Sequence, residues 1–311
     1  QDRAAPGSPG TFLDESAKPV APARFRDLAD IRPELPLPEF RHGVAVVGLA
    51  DAFGYVDLAG KRLGQTSRIG AFMRQDDPLL LIADQGRHGF IDRQGAVKIP
   101  AQFEQATPFH AGRAAAAESG RWGLIDETGE WVARPEFDDL RPVAEDPRVW
   151  TFRKGAKGGL LRRDGVKLAE ARYDDVGLVR GDTVSVRQGD RWGLVSVSGG
   201  LVFEPRYKWL QPLGDETAFW AAQSASDHWG VVSTNGVERT MTIFDRIDAL
   251  APDVWAGWQN DAVGLLSPTN GQWRSEHRYA SLVALPDPFR PLAWAVRGDG
   301  RGVIDLTTEE V

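Results

Sequence analysis

The chain contains no cysteine. Disulfides, thiolate metal sites and a cysteine nucleophile are excluded, and the usual clue to redox compartment goes with them. Long apolar runs are missing too. Runs such as Pro78-Leu79-Leu80-Leu81-Ile82-Ala83 have the length of a strand, well short of the roughly 18 residues that a membrane helix needs. No basic run interrupts a net charge of −7, so a phosphate backbone is repelled on average and nucleic acid is not an expected partner. There is no Gly-x-Ser-x-Gly elbow, P-loop or dinucleotide fingerprint. The histidines His42, His88, His110, His228 and His277 fall in no metal-ligand spacing. No cofactor or metal is expected, and the chain is not read as an enzyme.

What the chain does have is a period of about 35 residues. Its clearest copies are Arg121-Trp122-Gly123-Leu124-Ile125-Asp126, Arg191-Trp192-Gly193-Leu194-Val195-Ser196 and His228-Trp229-Gly230-Val231-Val232-Ser233. Weaker copies centre on Gly54, Gly89, Gly159, Gly264 and Gly302. A fixed period of this size marks one supersecondary unit stacked many times. It divides the chain into a flexible Pro/Ala-rich linker over residues 1–24, an irregular cap over 25–41 and a repeat domain over 42–311. A linker of this kind, in a chain that starts at Gln1, is what a lipoprotein-like tether behind an export signal or lipid-anchored residue looks like. A cut between two domains would look the same.

Each unit reads as β structure. Three residues after the anchor glycine stands Asp57, Asp92, Asp126, Ser196, Ser233, Ser267 or Asp305, with Arg162 the exception. Three further on stands Gly60, Gly95, Gly129, Gly165, Gly199 or Gly236. Asp or Ser followed by that glycine predicts a type I turn ending in a left-handed residue, which closes a hairpin. An aromatic, often preceded by proline and followed by an acid, closes the second arm: Phe103, Phe137, Tyr173, Tyr207 and Phe244. A third strand precedes each anchor, as in Val149-Trp150-Thr151-Phe152. The expected fold is all-β, about eight three-stranded units in an open twisted superhelix, with an eight-bladed propeller as the alternative.

The string Trp-Gly-Leu-Ile-Asp-x-x-Gly, followed by Pro and Phe-Asp or Tyr-Asp, resembles the bacterial WG-repeat (KWG-type) family, over about 270 residues of this chain. That resemblance implies tandem β units, often in exported or envelope-associated proteins, and no common catalytic activity. The acidic column Asp57, Asp92, Asp126 and Asp305 could be mistaken for catalytic carboxylates. It recurs at a turn, where Asp caps its own backbone. Arg180-Gly181-Asp182 matches a short adhesion motif that arises easily by chance in a Gly-rich turn.

The eleven tryptophans hold the functional question. Trp122, Trp192 and Trp229 share one unit position and are assigned to the core. Trp150, Trp220, Trp255 and Trp294 form a second column, eight to ten residues before the anchor, either core or an exposed stripe. Trp131, Trp209, Trp258 and Trp273 fall off both columns, and the scaffold does not demand them. Trp255-Ala256-Gly257-Trp258 places two rings close together near a turn, so Trp255 joins them, and the candidate binding surface is Trp131, Trp209, Trp255, Trp258 and Trp273. The expected role is a non-catalytic binding or scaffold module, periplasmic, in the cell envelope or secreted, with another protein as partner. A glycan is the alternative ligand, and a glycan-active enzyme is a third reading.

Overall fold

The computed structural model describes residues 12–13, 19–20, 42–48, 53–59, 61–66, 78–143, 146–213, 219–240, 242–251, 254–267, 272–274, 278–286 and 290–308. Among these there is no helix. Apart from one two-residue pair, Phe12–Leu13 with Pro19–Val20, they form eight antiparallel sheets in chain order, none closed into a barrel. The expected cap over residues 25–41 and the rest of the expected linker lie outside the described residues.

The chain divides into two compact units, one of Gln1–Phe152 with Arg163–Val166, the other of Arg153–Arg162 with Lys167–Val311. In the first unit, the first sheet is Val44–Gly48, Phe53–Asp57 and Arg62–Thr66. The second is Leu79–Asp84, Arg87–Asp92 and Val97–Phe103. The third is Gln105–Ala106, Ala114–Glu118, Arg121–Ile125 and Trp131–Phe137. The chain passes between units in the fourth sheet, drawn from Asp139–Tyr173. The second unit continues with Asp175–Arg180, Thr183–Gln188, Arg191–Ser196 and Leu201–Tyr207 as the fifth sheet. The sixth is Trp209–Pro212, Phe219–Gln223 and Trp229–Ser233; the seventh is Arg246–Ala251, Val254–Gln259 and Ala262–Leu266; the eighth is Ser281–Ala284, Leu292–Arg297 and Gly300–Asp305.

The three strands expected per unit are joined by a fourth in the third, fourth and fifth sheets. After the aromatic-acid pair the chain runs straight into a leading strand of the next sheet, such as Asp175–Arg180 after Tyr173-Asp174. No repeated column marks these residues, so the period leaves them unassigned. In the sixth and seventh sheets the leading strand is present. There the closing strand shrinks to isolated bridges, Trp229 with Phe244 and Val263 with Tyr279.

The hairpin turns form as their residues dictate. Oδ1 of Asp126 accepts from the amides of Thr128 and Glu130 at 2.9 and 3.1 Å. Asp92 and Asp57 hold the same two-bond geometry. Gly129, which closes the Asp126 turn, has φ +88°, a left-handed conformation that glycine adopts without a Cβ penalty.

The anchor glycine has a different cause. One register shift spans Gly123, between Trp122 and Leu124, and a second follows between Leu124 and Ile125; this β-bulge throws the neighbouring backbone over the anchor. A Cβ there would meet the Ala133 carbonyl oxygen at 2.6 Å and the Pro135 nitrogen at 2.8 Å. At Gly193 the Phe203 oxygen and the Pro205 nitrogen would each lie at 2.7 Å. The glycine and proline columns are thus two sides of one bulge, and Pro is tolerated where the ladder is already broken.

Within each unit successive sheets bury their faces on one another. Leu81, Phe90, Ile99, Phe103, Phe109 and Ile125 form one core between the second and third sheets. Leu194, Tyr207 and Trp220 join the fifth and sixth; Leu213, Phe244, Trp255 and Leu266 join the sixth and seventh. Each fully buried large side chain contributes on the order of 3 kcal/mol of transfer free energy.

Candidate functional site

The structure redistributes the tryptophans. Trp150, Trp220 and Trp255 are fully buried. Trp255 packs in the core of the sixth and seventh sheets, with Phe219 edge-on at 4.8 Å, and is removed from the candidate surface. Trp294, placed in the same column by spacing, is 43% exposed. The reason is register. Trp220 and Trp255 pair with Val232 and Leu266, two residues past their anchors, whereas Trp294 pairs with Val303, one past its anchor. A one-residue offset in a strand turns the side chain to the opposite face. The column assigned to the core, Trp122, Trp192 and Trp229, is only half-buried.

Trp131 and Trp273 are scaffold residues after all. Trp131 pairs with Ile125 and Trp273 bridges to Leu266, so both stand opposite the second residue after an anchor. Each lays its ring over that anchor: a Cβ on Gly123 or Gly264 would come within 2.7 or 2.8 Å of the ring's Cζ3. Trp131 is edge-on to Phe103, and Trp273 is edge-on to Phe244 with the Arg278 guanidinium 3.7 Å from its centroid. Trp258 is half-buried against the core of the seventh and eighth sheets, under the Arg246 guanidinium.

Trp209 is the candidate that stands out from the surface, at 50% exposure. It begins the sixth sheet and pairs with Gln223. Its ring meets half-buried Trp192 of the fifth sheet edge-on, with centroids 6.2 Å apart and planes at 67°. Trp192 is itself fixed. The Arg187 guanidinium lies 5.8 Å from its centroid, and a Cβ on Gly177 would come within 2.9 Å of its Cζ3. Beside this corner Lys208 pairs with Asp227, and the Gln223 side-chain amide donates to the Asp227 carbonyl at 3.2 Å. The result is a two-ring corner, one ring held and one presented, bordered by hydrogen-bonding groups.

A second feature has no counterpart in the sequence reading. In the first unit an open depression of about 310 Å³ is lined by Gly112, Arg113, Asp126, Glu127, Thr128 and Arg163. Two arginines 50 residues apart meet there, and no local motif joins them. The acidic column supplies one wall. Asp126 is held below the usual carboxylate range: burial opposes this, but the Thr128 hydroxyl, the Thr128 and Glu130 amides and the Arg113 charge together outweigh it. Its carboxylate is occupied in shaping a turn, as are those of Asp92 and Asp305. Among the described residues, no three of His, Asp and Glu gather as metal ligands.

Two consecutive stretches, residues 89–121 and 122–151, match the family model of the WG containing repeat. Residues 89–151 carry two WG repeats. The matched WG repeats contain the anchors Gly89 and Gly123, the turn acids Asp92 and Asp126, and Trp131. No curated protein matches the chain significantly. Among solved structures, the computationally designed Ika8 protein is similar at 13% identity and TM-score 0.33, over 86% of this chain and 93% of that one. BamB from Moraxella catarrhalis is similar at 12% identity and TM-score 0.28, over 95% and 81%. Apo AztD from Citrobacter koseri is similar at 11% identity and TM-score 0.32, over 84% and 90%. Overlaps this loose carry no argument about closure or function, so the WG repeats rest on their own sequence and sheets.

Proposed function

We propose that this WG-repeat chain is a non-catalytic binding module of the bacterial cell envelope, and that it presents the Trp192–Trp209 corner to another protein. The observation that carries the reading is the exposure of Trp209 on a ring held in place behind it. Tryptophan is the residue most enriched among the few that dominate protein interfaces, and a pre-positioned ring loses little entropy on binding. The turn carboxylates support a non-catalytic role, since the backbone already occupies them. The envelope location is supported by what the WG-repeat resemblance implies.

The test is capture from a bacterial envelope extract by the full chain and by Trp209→Ala and Trp258→Ala variants. Trp209→Ala should lose the captured protein, with about 2 kcal/mol or more of binding energy, some thirtyfold in Kd. Trp258→Ala should retain it. Equal capture by wild type and Trp209→Ala sinks the assignment. The same corner supports a second reading, glycan binding, because a sugar ring can stack on Trp209 while Gln223 and the Lys208–Asp227 pair meet its hydroxyls. A glycan array without hits removes that reading.

A further inference from the structure

The charged depression of the first unit is built with more care than a chance gap between loops. His110 and Arg113 exchange backbone hydrogen bonds around Ala111 and Gly112, whose φ angles are +49° and +79°. Two successive positive φ values make the tightest kind of hairpin turn, and Ala111 occupies it without being glycine. The turn projects Arg113 toward the Arg163 turn, and the two lock reciprocally. Nε of Arg113 donates to the Arg163 carbonyl at 2.8 Å, and Nη1 donates to the Gly112 carbonyl at 2.7 Å. Nη2 of Arg163 donates to the Ala111 carbonyl at 2.9 Å. Each guanidinium carries five N–H donors, so both keep donors to spare after being fixed in place. Both arginines are half-buried, and Glu127 opposite them is exposed.

Charge balance narrows the ligand. Arg113 and Arg163 face Asp126 and Glu127 across the same depression. A simple anion would meet as much repulsion as attraction there, whereas a ligand carrying both signs is complementary to both pairs. Opposite charges also border one point. A Cβ on Gly112 would lie 3.4 Å from Oε1 of Glu127 and 3.7 Å from Nη2 of Arg163. A small group above Gly112 therefore reaches an acceptor and a donor together. The volume, about 310 Å³, is at the lower limit for small-molecule pockets and suits a ligand of few heavy atoms.

We propose that this depression binds a small zwitterion of the α-amino-acid type. Its carboxylate lies on the spare donors of Arg113 and Arg163, and its ammonium on Glu127. Asp126 shapes the wall and adds its charge to the ammonium side. The site is separate from the Trp192–Trp209 corner and does not depend on it.

The test is an amide NMR titration of the full chain with four probes: L-alanine, N-acetyl-L-alanine, L-alaninamide and inorganic phosphate. L-Alanine should shift the amides of Gly112, Glu127 and Thr128 saturably. N-acetyl-L-alanine and L-alaninamide, each lacking one charge, should bind at least about tenfold more weakly, the factor that about 1.4 kcal/mol represents. Glu127→Gln should abolish the preference for L-alanine over its acetylated form, and Arg163→Lys should weaken both. The amide spectrum shows directly that each variant is folded, and Glu127→Gln changes only an exposed side chain. If phosphate or N-acetyl-L-alanine binds as well as L-alanine, the depression is an anion site and the proposal fails. It also fails if L-alanine gives no saturable shift at any millimolar concentration.

Discussion

Replacing Gly123 by alanine tests why every unit is anchored on a glycine. Gly123 does not have left-handed backbone, so the usual conformational reason for glycine does not apply. The obstacle is the bulged strand beside it. The added methyl would lie 2.6 Å from the Ala133 oxygen and 2.8 Å from the Pro135 nitrogen, where carbon–oxygen contacts normally begin near about 3.3 Å. Backbone cannot swing aside as a side chain can, so the strands must part by several tenths of an ångström. The pairs on either side, Trp122 with Phe137 and Leu124 with Ala133, resist that parting. Overpacking of this kind costs about 1–3 kcal/mol, and removing a flexible glycine from the unfolded chain returns about 0.5–1 kcal/mol. The expected net loss is about 1–2 kcal/mol. Gly264→Ala is the control, because its three nearest neighbours are side-chain atoms of Trp273 and Arg278, and Trp273 is half-buried with room to tilt. That substitution should cost under about 1 kcal/mol. Urea unfolding followed by circular dichroism and tryptophan fluorescence measures both, with the two compact units fitted as separate transitions wherever the probes diverge. If Gly123→Ala is as stable as wild type, or Gly264→Ala is the worse of the two, the bulge is not what demands the anchor glycine.

Three further predictions follow from single residues. Trp220 donates its indole N–H to the Thr183 hydroxyl at 3.1 Å, whereas the Trp255 indole nitrogen is buried without a partner among the described residues. Trp220→Phe should therefore destabilise by about 1–2 kcal/mol more than Trp255→Phe in the same urea assay; equal losses would refute the difference. Asp126→Ala removes three turn hydrogen bonds and should cost about 1 kcal/mol. The folded-state values of Asp92, Asp126 and Asp305 lie below the ordinary 3.8. Their contribution is therefore present above that pH and lost as acid titrates the folded carboxylates, so an acid limb of stability unchanged by Asp126→Ala would contradict their role. Burial and the Glu238 carboxylate push the Tyr207 hydroxyl up to about 12 from 10.0. Stability should then fall as pH rises from 10 towards 12, where the unfolded tyrosine ionises first, and Tyr207→Phe should flatten that limb in a pH series of unfolding midpoints.

Whatever repeats locally is legible in the order of residues. Asp126 and Gly129 write their turn in the backbone bonds available within four residues, so the turn, the hairpin and the all-β class follow from spacing alone. The same local logic assigned the acidic column to turns rather than to chemistry, and the side-chain hydrogen bonds of Asp57, Asp92 and Asp126 bear this out. Which face each side chain takes and which distant turns meet depends on how strands pair and sheets pack. Trp255 and Trp294 sit at similar distances from their anchors, yet one is buried and the other exposed, because a single step of strand register reverses the face. Trp131 and Trp273 looked independent of the repeat until pairing showed both covering an anchor glycine. Arg113 and Arg163 share a depression only because neighbouring sheets bring their turns together, a contact with no period to announce it. Periodicity encodes what each repeat does to itself; register and stacking, which act between strands and between neighbouring sheets, decide what remains exposed to bind anything else.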